Sequence, residues 1–486
     1  MLVMHTTAYG ADAFVAAARR VGVEIVIASD RCPVLDGQFQ WPADSWVIDF
    51  YDPQGAAAVI AAAAAAQPEA PVRAVVSVGG ETPSLVAALA ARRLGLPGNQ
   101  PGAVAATGNK LRLRELCAAA VREAAHDAAD EAADEAVHEV HGAALGDRRD
   151  RGRGGPSNLP PPAVPRFVTV SIDETPGRVV AAAVAASIGW PCVVKPLLLS
   201  ASRGVMRADD PATLEVAFER LRRMLRTPAL LEMDPVAARL VLIEAFVPGP
   251  EVALDGLLFG GALHTLALFD KPDPLDGPFF EETIYVTPSR LPAAAQRAIE
   301  AAVLSAAQAI GLASGPIHAE LRLGAGPPVV IDLAARPIGG LCSRALRFVD
   351  GFVDGFVDGV GHGSGDGSVR DQPLEELVIR QALGQDVRDQ TRERCASGVM
   401  MIPIPRGGIL KSVAGLDAAR EVAGIEEVIV SVRPGETVVP LPEGASYLGF
   451  IFARGEAPAT VEAALREAHR RLSFEIAPRL PIEPTV

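Results

Sequence analysis

Along Gly315–Arg336, GPIHAELRLGAGPPVVIDLAAR, apolar and polar positions alternate in the manner of a strand. His318, Glu320 and Arg322 fall on one face, and Ile317, Ala319, Leu321 and Leu323 on the other. Gly324–Pro328 reads as the turn of a hairpin. That turn brings Asp332 back beside Glu320, and the second run ends on Arg336.

The same patterning divides the rest of the chain. Over residues 1–107, the strands Leu2–His5 and Glu24–Ala28 flank a helical run, Ala11–Arg20, and Val72–Val78 leads into Gly79-Gly80. Thr82-Pro83 predicts the N-cap and first residue of a helix reaching Leu94, which Gly95 ends. This rhythm implies an open parallel sheet. It lacks GxGxxG, and Gly79–Ser84 reads as a tight strand-to-helix connection. From Cys395 onward, the strands Val399–Ile404, Glu426–Val432 and Tyr447–Ala453 and the helices Leu416–Val422 and Pro458–Leu472 predict a small α+β unit. The chain is therefore expected to combine α/β and α+β architecture in three domains, 1–107, 108–394 and 395–486.

Two inserts interrupt the middle domain. Residues 121–162 begin acidic and Ala-rich, a continuation of helix, and turn into an Arg/Gly/Pro stretch that reads as flexible. His126, His138 and His141 lie there among acids, which is the composition of a solvated face. Residues 348–368 repeat Phe-Val-Asp-Gly and become Gly-rich, a surface loop without EF-hand spacing.

Composition removes several classes of function. A net charge of −14 with no basic stripe argues against a nucleic-acid surface. The five cysteines, Cys32, Cys117, Cys192, Cys342 and Cys395, are scattered and form neither CxxC nor zinc spacing, as in a reducing compartment. The start, MLVMHTTAYG, reads as a strand, and the apolar run Gly55–Ala66 is shorter than the ~20 residues a membrane span needs. A soluble cytoplasmic protein without nucleic-acid or membrane partners is expected.

Candidate chemistry gathers in four segments. Glu320 and Asp332, oxygen donors on adjoining strands with Arg336 beyond them, suit Mg²⁺ bridging nucleotide phosphates. In Gly189–Gly204, the buried strand Cys192–Val194 delivers Lys195, and the small-residue loop Ser200-Ala201-Ser202-Arg203-Gly204 offers backbone donors, which together make a phosphate clamp. In Leu240–Gly256, Glu244 ends a strand, Phe246-Val247 follow, and Glu251 comes after the Pro248-Gly249-Pro250 turn; such an edge suits an adenine and a ribose. Gly108-Asn109-Lys110 starts a helix with Lys110 in its first turn.

In this order, from about Gly108 to Leu383, the segments resemble the ATP-grasp superfamily of carboxylate–amine ligases, most of all the L-amino acid (dipeptide) ligases. The resemblance implies ATP and Mg²⁺ (or Mn²⁺) as cofactors, small-molecule carboxylate and amine substrates, and the homodimer common in that family. It implies that Lys110 and Lys195 contact ATP phosphates under a flap of Ser200, Ser202 and Gly204, with Glu244, Phe246, Val247 and Glu251 on adenine and ribose. Glu320 and Asp332 become metal ligands, and Arg336 steadies the acyl-phosphate and tetrahedral species. Gly277–Pro288 is similar to the family's substrate segment: Glu282 takes the substrate ammonium, and Tyr285 stands where a histidine is usual. The chain departs from the pattern at Asp332, where Glu is frequent, at Ala334 in place of Asn, and in a flap poor in glycine. Amide-bond formation through an acyl phosphate is the function implied. A biotin-carboxylase-like enzyme and a catalytically weakened ATP-binding protein are the alternatives.

Overall fold

The computed structural model describes residues 1–6, 8, 10–30, 45–140, 159–349 and 371–479. Most of the Arg/Gly/Pro half of the first insert, with His141, nearly all of the second insert, and Cys32 lie outside the described residues. The acidic Ala-rich half does continue the helix, which runs Lys110–Val140.

The N-terminal sheet is parallel, in the order Ser45–Val47, Ile27–Ser29, Leu2–Met4, Val76–Val78. Helix Glu81–Arg93 leaves its last strand, and here the expected cap is corrected. Thr82 lies inside the helix, and the cap is Gly80 at φ 64°, a left-handed conformation that suits glycine. The helix therefore starts two residues earlier than Thr82-Pro83 predicted, with Glu81 as its first residue.

Two further sheets face each other across a cleft. One is antiparallel, in the order Phe167–Ser171, Leu240–Ala245, Cys192–Pro196, Met206–Ala208. The other has eight strands, in the order Val329–Ala334, Ser314–Arg322, Glu251–Phe259, Ala262–Lys271, Ile284–Thr287, Ala396–Ile402, Gly449–Gly455, Ile425–Val430. The pairing of Ile284–Thr287 with Ala396–Ile402 carries this sheet past Cys395, so residues on both sides of that position share one hydrogen-bonded ladder.

Helix Ala293–Ile310 covers the eight-stranded sheet. Ile299, Val303, Ala306 and Ile310 repeat at helical spacing and pack on Leu254, Leu258, Ile317 and Leu321. Each fully buried aliphatic side chain contributes about 2 kcal/mol. Gly311, at φ 80°, closes the helix in a left-handed cap. The Pro248-Gly249-Pro250 turn is clamped to the hairpin: a Cβ on Gly249 would lie 2.1 Å from the Leu323 carbonyl oxygen, and Leu323 N–H donates to Pro250 O at 2.9 Å. That contact fixes the Glu251 strand against the strand of Glu320.

Candidate active site

A cavity of about 440 Å³ lies in the cleft, and residues from the parallel sheet, both cleft sheets and the C-terminal unit line it. Lys110, Lys195, Ser200, Ser202, Glu244, Phe246, Val247, Glu251, Glu282, Tyr285, Glu320, Asp332 and Arg336, each anticipated from sequence, all reach it. Gly204 does not. Its N–H is spent on Pro442 O at 2.8 Å, and Arg203 Nε donates to Glu443 O at 3.0 Å, which pins the flap to the C-terminal unit. Ala201 and Ser202 take left-handed φ values of 53° and 54°, so the flap turns tightly without glycine at those positions.

The hairpin has the register its alternation predicts, with Glu320 opposite Asp332 in an antiparallel pair. Both carboxylates keep some exposure, 20% and 37% of the side chain. Asp332 has Lys110 Nζ at 3.7 Å. The pair offers only oxygen donors on one open face, a donor set that fits a hard dication.

A second acid group is built differently. Carboxylate oxygens of Glu251, Glu282 and Glu320 lie within 4.8 Å of one another. Lys271 Nζ sits among them, 2.7 Å from Glu251, 2.5 Å from Glu282 and 3.3 Å from Glu320. Burial opposes its charge, yet the three acids outweigh burial and hold the ammonium well above its ordinary range. Glu282 is raised, by burial first and then by the charge of Glu320. Glu320 goes the other way, to about 2, because Lys271 and then His318 outweigh its burial. Tyr285, in the expected histidine position, donates its hydroxyl to Glu282 at 2.7 Å. His318 meets Asp255 at 3.2 Å; burial lowers its pKa, but that acid pushes it up to about 9.

Lys195 is held by a buried triad. Glu244 accepts from Arg114 Nε at 2.6 Å and faces Lys195 Nζ at 2.6 Å. Arg114 is 0% exposed and also donates to Ile331 O at 2.6 Å, which ties the helix bearing Lys110 to the Asp332 strand. Burial opposes the Glu244 charge, but Arg114 and Lys195 hold the carboxyl below its usual range. Both Glu244 oxygens are so engaged, and in the segment that follows the Ala245 and Phe246 N–H groups donate to Arg166 O at 2.9 Å and Pro191 O at 3.2 Å. Beside it, Phe246 and Phe280 stand 6.4 Å apart, with Arg207 over Phe246 at 4.7 Å. Glu251 is likewise occupied, by Lys271 and by Arg322 Nε at 2.9 Å.

Lys271, Arg114, Glu81 and Asp255 are the site residues that sequence reasoning missed. For Lys271 a signal existed: like Lys195, it ends an apolar strand, here Leu266–Phe269 followed by Asp270-Lys271. Arg114 lies one helical turn beyond Lys110.

Three family models match the chain. The ATP-grasp domain matches residues 188–345, the ATP-grasp N-terminal domain residues 15–98, and the L-amino acid ligase C-terminal domain 2 residues 400–477. The chain thus carries ATP-grasp domains and an L-amino acid ligase C-terminal domain.

A crystal structure of an L-amino acid ligase from Bacillus licheniformis superposes on this ATP-grasp protein with a TM-score of 0.67 at 21% identity, over 98% of both chains. That likeness is one of fold. Alanine–anticapsin ligase of Bacillus subtilis (strain 168) is 28% identical over 165 residues, 31% of this chain and 34% of its own length. D-alanine–D-alanine ligase of Aromatoleum aromaticum is 31% identical over 159 residues, 32% of this chain and 47% of its own. The ATP-grasp chain thus spans between a third and a half of these two relatives. Among its described residues, no helix is long and apolar enough to cross a membrane.

Proposed function

We propose that the chain is an ATP-dependent ligase that joins the carboxylate of an amino acid to an amine through an acyl phosphate. The observation that carries this reading is one cavity holding both a phosphate end, Lys110 and Lys195, and an amino-acid end, Glu282 and Arg336, with Glu320 and Asp332 facing the same space. The relatives named above, ligases of alanine, are consistent with it.

Lys110 and Lys195 hold the ATP phosphates, Lys195 fixed by Glu244 and Arg114 behind it. Glu320 and Asp332 would hold Mg²⁺, which when bound neutralises charge on the transferring phosphoryl group. Glu282, oriented by the Tyr285 hydroxyl, receives the amino-acid ammonium and so aims the carboxylate at the phosphate end. Attack of that carboxylate gives the acyl phosphate and ADP. The amine then adds and phosphate leaves, with Arg336 facing the oxyanion. Arg336 is suited to this: Glu81 holds its Nη2 at 3.1 Å, while its buried Nε has no hydrogen-bond partner among the described residues. The flap, pinned through Gly204 and Arg203, excludes water from the acyl phosphate.

Trapping with hydroxylamine tests the intermediate. With ATP, Mg²⁺ and the activated amino acid, hydroxylamine should yield an aminoacyl hydroxamate and ADP. ADP formation from a working amino-acid pair without any hydroxamate would count against the acyl phosphate.

A further inference from the structure

Helix Leu374–Ala382 presents two consecutive buried acids with different surroundings. Glu376 receives Arg20 at 3.0 Å and Arg380 at 2.7 Å. Glu375 is only 5% exposed and lines the cavity, yet its one hydrogen bond comes from Ser343 Oγ at 2.6 Å. Among the described residues no cation pairs with it. Burying a carboxylate without a counter-charge leaves its lost hydration uncompensated. The first-turn N–H groups of its own helix offset part of that cost. The remainder favours a cation that arrives with the ligand.

The rest of the cavity narrows which cation. Glu282 shares Lys271, at 2.5 Å, with Glu251 and Glu320, and in the ligase reading it takes the α-ammonium. Glu375 has no such lysine. The same lining holds Phe14 from the N-terminal unit, Leu374 and Cys342, apolar, nearly fully buried and members of one hydrophobic cluster. Apolar walls leading to one carboxylate fit an alkyl chain that ends in a positive charge.

We infer that Glu375 selects an amino-acid substrate with a cationic side chain, of the lysine, ornithine or arginine type, by pairing with its terminal ammonium or guanidinium. The inference rests on the ligase reading above only in taking the occupant to be an amino acid.

Calorimetric titration of the full chain with L-lysine and with L-norleucine, ADP and Mg²⁺ being present, tests it. The two ligands share their α-groups and differ in the side-chain ammonium. The wild-type chain should bind lysine at least roughly tenfold more tightly, a normal return for a charge-assisted pair in a dry site. In Glu375→Gln that advantage should fall below roughly threefold, and Glu375→Asp should keep part of it. Norleucine binding as tightly as lysine to the wild type overturns the inference, even if every variant misfolds. So does a lysine advantage that survives in a folded Glu375→Gln. An equal loss of both ligands in that variant would place an α-ammonium at Glu375 and overturn the inference as well. The ligase reading fails separately. Lysine binding through Glu375 with no ADP release from any amino-acid pair would sink ligation alone, and ADP release confined to neutral pairs would sink the Glu375 assignment alone.

Discussion

Arg336 and Glu81 meet at 3.1 Å, an ion pair between the end of the acid hairpin and the first residue of helix Glu81–Arg93. Through it the N-terminal parallel sheet takes part in the site instead of only flanking it. Glu81 is held below the usual carboxylate range because Arg336, then Lys110, outweigh its burial. Arg336 in turn is raised, Glu81 overcoming the burial that opposes its charge.

Glu81→Gln should loosen the aim of Arg336 without touching the nucleotide. We expect kcat to fall about tenfold, about 1.4 kcal/mol of transition-state stabilisation. The nucleotide dissociation constant should change less than roughly threefold. Steady-state kinetics and nucleotide titration of the same variant check both halves.

The hairpin acids make a stronger demand. Glu320→Gln removes one anionic ligand while keeping shape, and turnover should fall about a hundredfold or more, about 3 kcal/mol. Asp332→Asn should behave similarly, and the double variant should lose much less than the product of the two, since in the proposed reading both would hold one metal. A Mg²⁺ titration of kcat in the three variants measures this. Near-normal turnover of Glu320→Gln at low Mg²⁺ would remove the hairpin from the chemistry.

The buried triad predicts acid sensitivity. Glu244 is held below its usual range, so its stabilisation is complete above the unfolded carboxyl value of about 4.3 and is lost as pH falls through the folded one. Glu244→Gln leaves Arg114 and Lys195 buried without their acid and should cost about 3–5 kcal/mol at neutral pH. Below pH 4 the wild type should approach the variant. Melting temperatures of the two proteins against pH test the sign.

How far these contacts were legible follows from their separation in sequence. Alternation fixes the faces of a strand, and a short turn fixes its partner, so the Glu320–Asp332 pairing was readable from 22 residues. The pairing of Arg114 with Glu244 spans 130 positions, and that of Glu81 with Arg336 spans 255. No local pattern specifies such pairs; packing of one unit on another creates them. Lys271 was hidden for another reason. A lysine at a strand end reads as an edge residue until Glu251, Glu282 and Glu320 are known to surround it. The cap of helix Glu81–Arg93 was misread because Thr-Pro is a strong local signal, whereas the left-handed turn of Gly79-Gly80 placed the start two residues earlier.

The thiols give a test of burial independent of catalysis. Burial pushes the Cys117 thiol up to about 11 and Cys192 up to about 12, and it raises Cys342, in the cavity wall, further still. Cys395 is exposed. Alkylation at pH 8 followed by mass spectrometry should modify Cys395 in the native protein and reach Cys117, Cys192 and Cys342 only on unfolding.

ADP release against a panel of single amino acids, amino-acid pairs and bicarbonate tests the central claim most directly. The ligase account predicts release that needs a carboxylate and an amine together, with the joined amide appearing in step with ADP. Release triggered by bicarbonate while every pair stays silent would contradict it in favour of a carboxylase. Tight ATP binding with no release under any pair would contradict it in favour of a nucleotide-binding protein.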